Sequence, residues 1–425
     1  MKRIRKNAVA LFIIIIVATA LVTSGAAGVG AADHEIVCVT VQPGADEFSR
    51  GFTWLSTGTG RAGVQIVKVS DISGDKFPIK EHSVNGASAV LYGYNAYHVG
   101  VTGLEPNERY LFRVGSRQLW SDIYGFETGS TGAFSFLFAG DPQVYTSETV
   151  TAAWRNMVDN AVSRWPDAAL LVSGGDQVDK AGSEDHHRRF FSPEKLKSIA
   201  LAPTLGNHDS AANFTKHFNL PDSGGASGAD GSDQGVIQGN YWYRYGNALF
   251  IHLNSCSVSM SQHRAFMRHA VDSNPGAKWR IVVMHHSIYS TAMYGPDDSR
   301  RSAFYPLMDA YNIDVVLSGH DHIYSRSHFM YGGAAQAGQG DGASGQAVNP
   351  KGTLYICGNS SSGSKYYQST GVYPEFNAFQ RQSETPNISH VEVTEDAFTI
   401  KTYCGENANA DGELELIDAY TIIKR

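Results

Sequence analysis

The chain has no C-x-x-C pair, no basic run beyond its first six residues and no internal repeat. The first absence removes the spacing expected of a zinc ribbon or a dithiol redox motif. The second, together with a formal charge of −7, excludes a surface that tracks nucleic-acid phosphates. Charge is scarce in general, at 18% of residues against 42% hydrophobic, which describes an ordinary globular protein. At 425 residues the chain exceeds the size at which one core stops growing, so two domains are expected. The 44 glycines point to many turns and loops.

Long apolar runs are also missing, apart from Ala8 to Val22, which falls short of the ~20 residues that span hydrocarbon. Lys2, Arg3, Arg5 and Lys6 precede that run and the small residues Ser24 to Ala32 follow it. This is the layout of a signal peptide over residues 1–32, the alternative being an uncleaved anchor. Cleavage after Ala32 removes four cations and no acids, so the mature charge becomes −7 − 4 = −11. The expectation is an exported protein, secreted or held at the cell surface, with no stable membrane span after cleavage. Cys38, Cys256, Cys357 and Cys404 all lie in the exported part, where disulfides persist. Three pairings are possible, and four buried free thiols fit equally well.

From Ile36 to Thr128 short runs rich in β-branched and aromatic residues alternate with turn signals such as Pro43-Gly44 and Glu105-Pro106-Asn107. They predict strands over 37–41, 51–56, 63–69, 98–103, 109–114 and 124–128, hence a β-sandwich. Gly129-Ser130-Thr131-Gly132 reads as a hinge, after which apolar runs alternate with helical spacing, as at Val150, Trp154, Met157, Ala161 and Trp165. That alternation predicts a layered α/β domain with a mixed sheet. Glycine-rich stretches at 224–235 and 332–345 read as surface connections. Strand text after Gly352, at 354–357, 390–393, 398–403 and 419–423, is expected to complete the second sheet.

The polar motifs sit just past the apolar runs, where open α/β sheets build their sites. They are Gly140-Asp141, Gly175-Asp176, Gly206-Asn207-His208-Asp209, Met284-His285 and Gly319-His320-Asp321-His322. One Gly-Asp pair alone is a turn or a helix cap. Five such motifs in strand-end context supply carboxylate, amide and imidazole ligands for two cations, the arrangement by which hydrolases clamp a phosphate. Gly before each Asp is expected to let the backbone turn sharply.

In this order the motifs resemble those of the calcineurin-like metallophosphoesterases. The last of them, read through Ile323-Tyr324, together with the preceding sandwich, is most similar to the purple acid phosphatase branch. The resemblance implies an α/β fold: an αββα four-layer sandwich over residues 133–425, preceded by an all-β fibronectin type III-like sandwich over residues 33–128. It implies two metal ions, Fe, Mn or Zn, with Asp176 bridging, Asn207, His285 and His320 at one ion, and Asp141 and His322 at the other. The implied reaction is hydrolysis of a phosphate monoester by a metal-bound hydroxide; a phosphodiesterase or nucleotidase, and a non-catalytic binding module, are the alternatives. His208 is the candidate general acid, with Asp209 orienting its ring. His286 and His187 are candidate substrate contacts, although His186, His187, Arg188 and Arg189 together also read as a solvated face. Arg300, Arg301 and Arg326 carry the same two readings.

Two positions depart from the family pattern. Gln143 stands where many members have a ligand His, and Asp179 where purple acid phosphatases have a ligand Tyr. A colourless or weakly coloured protein is therefore expected, with Asp179 and Gln143 either ligands or hydrogen-bonding groups behind the metal.

Overall fold

The computed structural model describes residues 35–72, 80–85, 87–116, 119–221, 237–295, 297–336, 338–339, 345–371, 374–405 and 413–425. The expected signal segment and the 224–235 stretch lie outside these residues, as does part of 332–345.

Eight strands form the N-terminal sandwich. One antiparallel sheet runs Ile36–Pro43, Arg50–Ser56, Tyr94–Val101, Ala89–Leu91; the other runs Lys80–Asn85, Arg61–Lys68, Arg109–Gly115, Tyr124–Glu127. Every second side chain turns inward, so that Val39, Val41, Phe52, Trp54, Val64, Ile66, Phe112 and Val114 fill the space between the sheets. The Tyr110 hydroxyl accepts the Glu105 N–H at 2.8 Å and fixes the turn before its strand. Lys80–Asn85 and Ala89–Leu91 escape the sequence reading because both are edge strands, one polar and one only three residues long.

Two facing sheets build the second part. The first runs Ala200–Ala202, Ala168–Ser173, Phe134–Ala139, Asn387–Val393, Ala397–Cys404, Glu415–Ile423, Gln346–Val348. The second runs Tyr241–Tyr245, Ala248–Leu253, Trp279–His286, Val315–Gly319, Thr353–Cys357, Tyr324–Tyr331, Ala334–Ala335, with Asn377–Arg381 also paired to Tyr324–Tyr331. Phe136, Phe138, Leu170 and Val172 of the first sheet meet Phe250, Ile281, Val283 and Leu317 of the second. Their neighbours point the other way: Leu137, Leu171 and Leu201 lie against Trp154, Met157 and Ala161 of helix Glu148–Arg164. Likewise Ile251, Val282 and Val316 lie against Phe266 and Met267 of helix Met260–Ser273 and Phe304 and Leu307 of helix Asp298–Ala310. The layers are thus α, β, β, α, as the resemblance implies.

One expectation is corrected. Of the four strands expected after Gly352 only Thr353–Cys357 enters the second sheet; Asn387–Val393 pairs antiparallel with Phe134–Ala139, and the next two strands extend the first sheet. Phe134–Ala139 has a parallel neighbour on one side only, and the returning chain covers its other edge.

The sandwich packs on the outer face of the first sheet. Leu55, Leu91 and Ala96 share a core with Phe190, Phe214 and Phe218. Arg188 donates to both carboxylate oxygens of Glu35 at 2.9 and 3.1 Å. The cluster around it is accordingly not a solvated face: His186 and His187 are buried, and Arg189 pairs with Asp185 and Glu148.

Candidate metal centre

Four parallel strands, Phe134–Ala139, Ala168–Ser173, Trp279–His286 and Val315–Gly319, end at one rim and deliver Asp141, Asp176, His285 and His320 there. Ligand atoms of Asp141, Asp176 and His285 all lie within 4.8 Å of one another. His285 Nε2 is 2.9 Å from Asn207 Oδ1, 3.1 Å from His320 Nδ1 and 3.4 Å from Asp176 Oδ2. His322 Nε2 is 3.1 Å from Asp141 Oδ2. The six expected ligands therefore fall into two groups side by side, Asn207, His285, His320 and Asp176 in one, Asp141 and His322 in the other.

Backbone contacts set the carboxylates. The His320 N–H donates to Asp141 Oδ1 and the His208 N–H to Asp176 Oδ1, both at 2.8 Å. The His285 Nδ1–H points to the Gly174 carbonyl at 3.0 Å, which leaves Nε2 facing the site, as a ligand imidazole requires. Burial opposes charge on both partners of the central pair, but mutual attraction outweighs it. Asp176 is held well below the usual carboxylate range and His285 is lifted to about 10. His320 is instead lowered to about 4, by burial and then by the His285 charge.

The donor set fits cations. Asp141 Oδ2 is buried and accepts no aligned hydrogen bond, its near neighbour being the His322 Nε2 at 3.1 Å, an arrangement costly unless a positive charge meets it. Carboxylate, amide and imidazole donors suit Fe, Mn or Zn.

Gly175, with φ of 108°, makes the sharp turn expected before Asp176, whereas the other motif glycines serve a different purpose. Gly140, Gly206 and Gly319 keep negative φ, whereas Asp176, His320, His322 and Gln143 carry φ of 49°, 74°, 45° and 38°. Apart from Gly175, the turning strain thus sits on the functional residues themselves. A Cβ on Gly319 would lie 1.9 Å from Asp141 Oδ1, and one on Gly206 2.1 Å from Asp176 Oδ1. Gly is required because the carboxylate of another motif occupies the space of its side chain.

His208 stands at the rim with its side chain 30% exposed, and its Nδ1 is 2.7 Å from the carbonyl of Asp179. The expected orientation by Asp209 is overturned. Asp209 accepts from the backbone N–H of Gly206 and of Gln177, so it pins the loop rather than the ring. Asp179 Oδ1 accepts from Gln143 Nε2 at 3.3 Å and also lies 3.7 Å from His208 Nδ1 and 3.9 Å from Lys365 Nζ.

A cavity of about 220 Å³ opens beside His320, lined among others by His286, Tyr294, Arg300, Asp321 and Tyr367. His286 Nδ1 is 2.8 Å from Ser255 Oγ; burial, then the His285 and His320 charges, push its pKa down to about 2, so it is neutral. His187 is not there. It is buried against His217 at a ring separation of 3.8 Å, beneath the sandwich. All three arginines are paired, Arg300 with Asp297, Arg301 with Asp298 and Arg326 with Asp418, and of them Arg300 lines the cavity.

The sequence reading missed the segment Gly358 to Tyr367. Ser361 N–H donates to the Asp141 carbonyl, the Lys365 carbonyl lies 3.2 Å from His322 Nδ1, and the Tyr367 ring is 5.0 Å from that of His322. Its signal was present: Gly358-Asn359-Ser360-Ser361-Ser362 follows a buried parallel strand of the same sheet.

Comparison with known proteins agrees with this geometry. Residues 134–324 match the calcineurin-like phosphoesterase family, and residues 36–128 the family described as purple acid phosphatase, N-terminal domain. Purple acid phosphatase 1 of Ipomoea batatas is 26% identical over 274 residues, 56% of this chain and 54% of that protein. Purple acid phosphatase 21 of Arabidopsis thaliana is 26% identical over 275 residues, 59% and 58%. The chain spans about half the length of these curated relatives. The solved structure of purple acid phosphatase PPD1 from yellow lupin seeds superposes with a TM-score of 0.70 at 14% identity, over 92% of this chain and 74% of that one, a likeness of fold. With both matches in this order, the chain carries a calcineurin-like phosphoesterase domain preceded by a purple acid phosphatase N-terminal domain.

Proposed function

We propose that this chain is an exported phosphoesterase that hydrolyses phosphate monoesters at a centre of two cations. One observation carries the reading: Asp141, Asp176, Asn207, His285, His320 and His322, scattered over nearly two hundred positions, converge at one rim, where the buried Asp141 Oδ2 faces His322 Nε2 without an aligned hydrogen bond. Bound cations would neutralise the phosphoryl oxygens and acidify a water at neutral pH.

The chain's own groups supply the rest. Asp176, hydrogen-bonded at Oδ1, keeps Oδ2 toward His285 and is the candidate bridge. His208, anchored through Nδ1, is left with Nε2 to exchange a proton; protonated there, it gives its proton to the departing alkoxide oxygen. Neutral His286 and Arg300 line the adjoining cavity and orient the ester's organic group. Export is supported by the basic, apolar and small-residue succession over residues 1–32.

The test is a rate comparison on aryl monoesters and diesters with metal quantified in the same sample. Monoester turnover that rises with metal occupancy and disappears in Asp176→Asn is expected. Faster diester turnover, or inactivity of the metal-loaded protein, overturns the proposal.

A further inference from the structure

A second group of metal-ligating side chains lies far from this rim, where the sandwich meets the first sheet's outer face. Cys38 comes from the first sandwich strand, Glu184 and His187 from helix Glu184–Phe190, and His217 from the end of helix Ala211–His217. Ligand atoms of Glu184, His187 and His217 all lie within 4.8 Å of one another. Glu184 Oε2 is 3.3 Å from His217 Nε2, and the Cys38 thiol meets Glu184 Oε1 at 3.4 Å.

We propose that Cys38, Glu184, His187 and His217 form a structural zinc site that ties the sandwich to the phosphoesterase domain. Four features support it. Zinc–ligand bonds of about 2.0–2.3 Å in a tetrahedron place ligand atoms roughly 3.3–3.8 Å apart; the Glu184 Oε2–His217 Nε2 separation falls in that interval, and the Cys38 thiol lies against the other oxygen of the same carboxylate. Both imidazoles have Nδ1 at a backbone carbonyl one helical turn back, Ser183 for His187 and Asn213 for His217, at 2.9 and 3.1 Å. That is the fixing of a ligand ring from behind, with Nε2 left for the ion. Cys38 is turned out of its own sheet: it has φ of 52°, and the strand register shifts between Val37 and Thr40. It packs with the core of the phosphoesterase domain rather than that of the sandwich. Finally, one thiolate and one carboxylate balance a dication, so a buried site with neutral imidazoles carries no net charge. Burial pushes the His187 pKa down to about 3, which keeps that ring neutral.

Binding releases the Cys38 thiol proton to solvent and replaces the thiol's contact with Glu184. The two rings now stack 9° from parallel. Sharing an ion draws their Nε2 edges together by a tilt of one ring. A thiolate selects zinc over the harder cations suited to the other centre.

The main centre contains no cysteine ligand, so cobalt distinguishes the two sites. Full-length protein loaded with Co(II) is expected to show a sulfur-to-cobalt charge-transfer band that persists in Asp176→Asn and Cys256→Ser and is lost in Cys38→Ser. In the Asp176→Asn background, zinc content is expected to fall by one equivalent on adding His187→Gln. A wild-type protein without the band overturns the site, as does a band that survives Cys38→Ser. Should Cys38→Ser fail to fold, the zinc count of Asp176→Asn alone decides: no tightly held equivalent overturns the proposal.

Discussion

At His208 a single carbonyl decides how the ring is used. With Nδ1 tied to Asp179 O, the other nitrogen is the one left to exchange a proton. Replacing His208 by Ala is expected to lower turnover by roughly 10²–10⁴-fold while leaving metal content unchanged, since its ring is anchored on the backbone carbonyl of Asp179. Unaltered turnover, or metal lost in proportion to activity, would remove the role. Asp179 bears on colour. It occupies the position where a ligand tyrosine gives related proteins their visible band, and its Oδ1 is engaged with Gln143. Iron-loaded protein is therefore expected to be weakly coloured in absorption spectra. An intense band abolished by Tyr367→Phe would show that Tyr367, whose ring packs on His322, binds the metal instead.

Among the elements, the strand ends carry the site only because glycine leaves room between them. Gly319→Ala puts a Cβ where Asp141 Oδ1 lies. A displacement of about 1 Å at a reacting centre costs on the order of 10²-fold, so activity is expected to fall at least that far. Metal content should fall with it, and the circular dichroism of the fold should be retained. Helix Glu148–Arg164 offers a test of packing rather than chemistry. Ser147 caps it by accepting from the Val150 N–H, and Trp154, fully buried, stacks on Phe190 and donates to the Phe190 carbonyl at 2.8 Å. Trp154→Ala is expected to cost about 3–5 kcal/mol, read as a lowered denaturation midpoint. A change below 1 kcal/mol would mean that the layer collapses to fill the gap.

On the scale of the whole molecule, acid should weaken the fold through buried neutral histidines. His252 is fully buried against Tyr241, its Nε2 has no hydrogen-bond partner, and burial lowers its pKa to about 3. Below pH ~6.5 the unfolded chain gains a proton that the folded one refuses. Its contribution is thus fully present above that pH and is lost as pH falls toward about 3. Melting at a series of pH values should show stability dropping over this window, and His252→Gln should flatten the slope by about 1.4 kcal/mol per pH unit. An unchanged slope would show that His252 finds an acceptor when charged. The sandwich is expected to be needed for solubility, because its loss exposes Phe190, Phe214 and Phe218 and leaves Arg188 without Glu35. A soluble, fully active protein lacking residues up to Thr128 would contradict this.

How much was legible follows from where each signal resides. Runs such as Phe134–Ala139 and Ala168–Ser173 are buried on both faces and declare themselves by continuous apolarity. Asp141 and Asp176 follow such runs, so their place at the rim could be read along the chain. Edge strands, by contrast, have little apolar pattern to read. His187 looked like a surface residue because its neighbours are charged; its burial comes from a sandwich strand some 150 positions away.

The amino-acid order by itself determined the strand ends, the identity of the expected ligands and the two-part architecture, because each depends on residue type and local spacing. Tertiary structure alone decided which group turns each side chain. Asp179 O rather than Asp209 orients His208, Gly319 and Gly206 make way for a distant carboxylate, and Cys38 meets Glu184 of a helix in the other domain. These are contacts between positions far apart in the chain, and their energies depend on distances that no local pattern encodes.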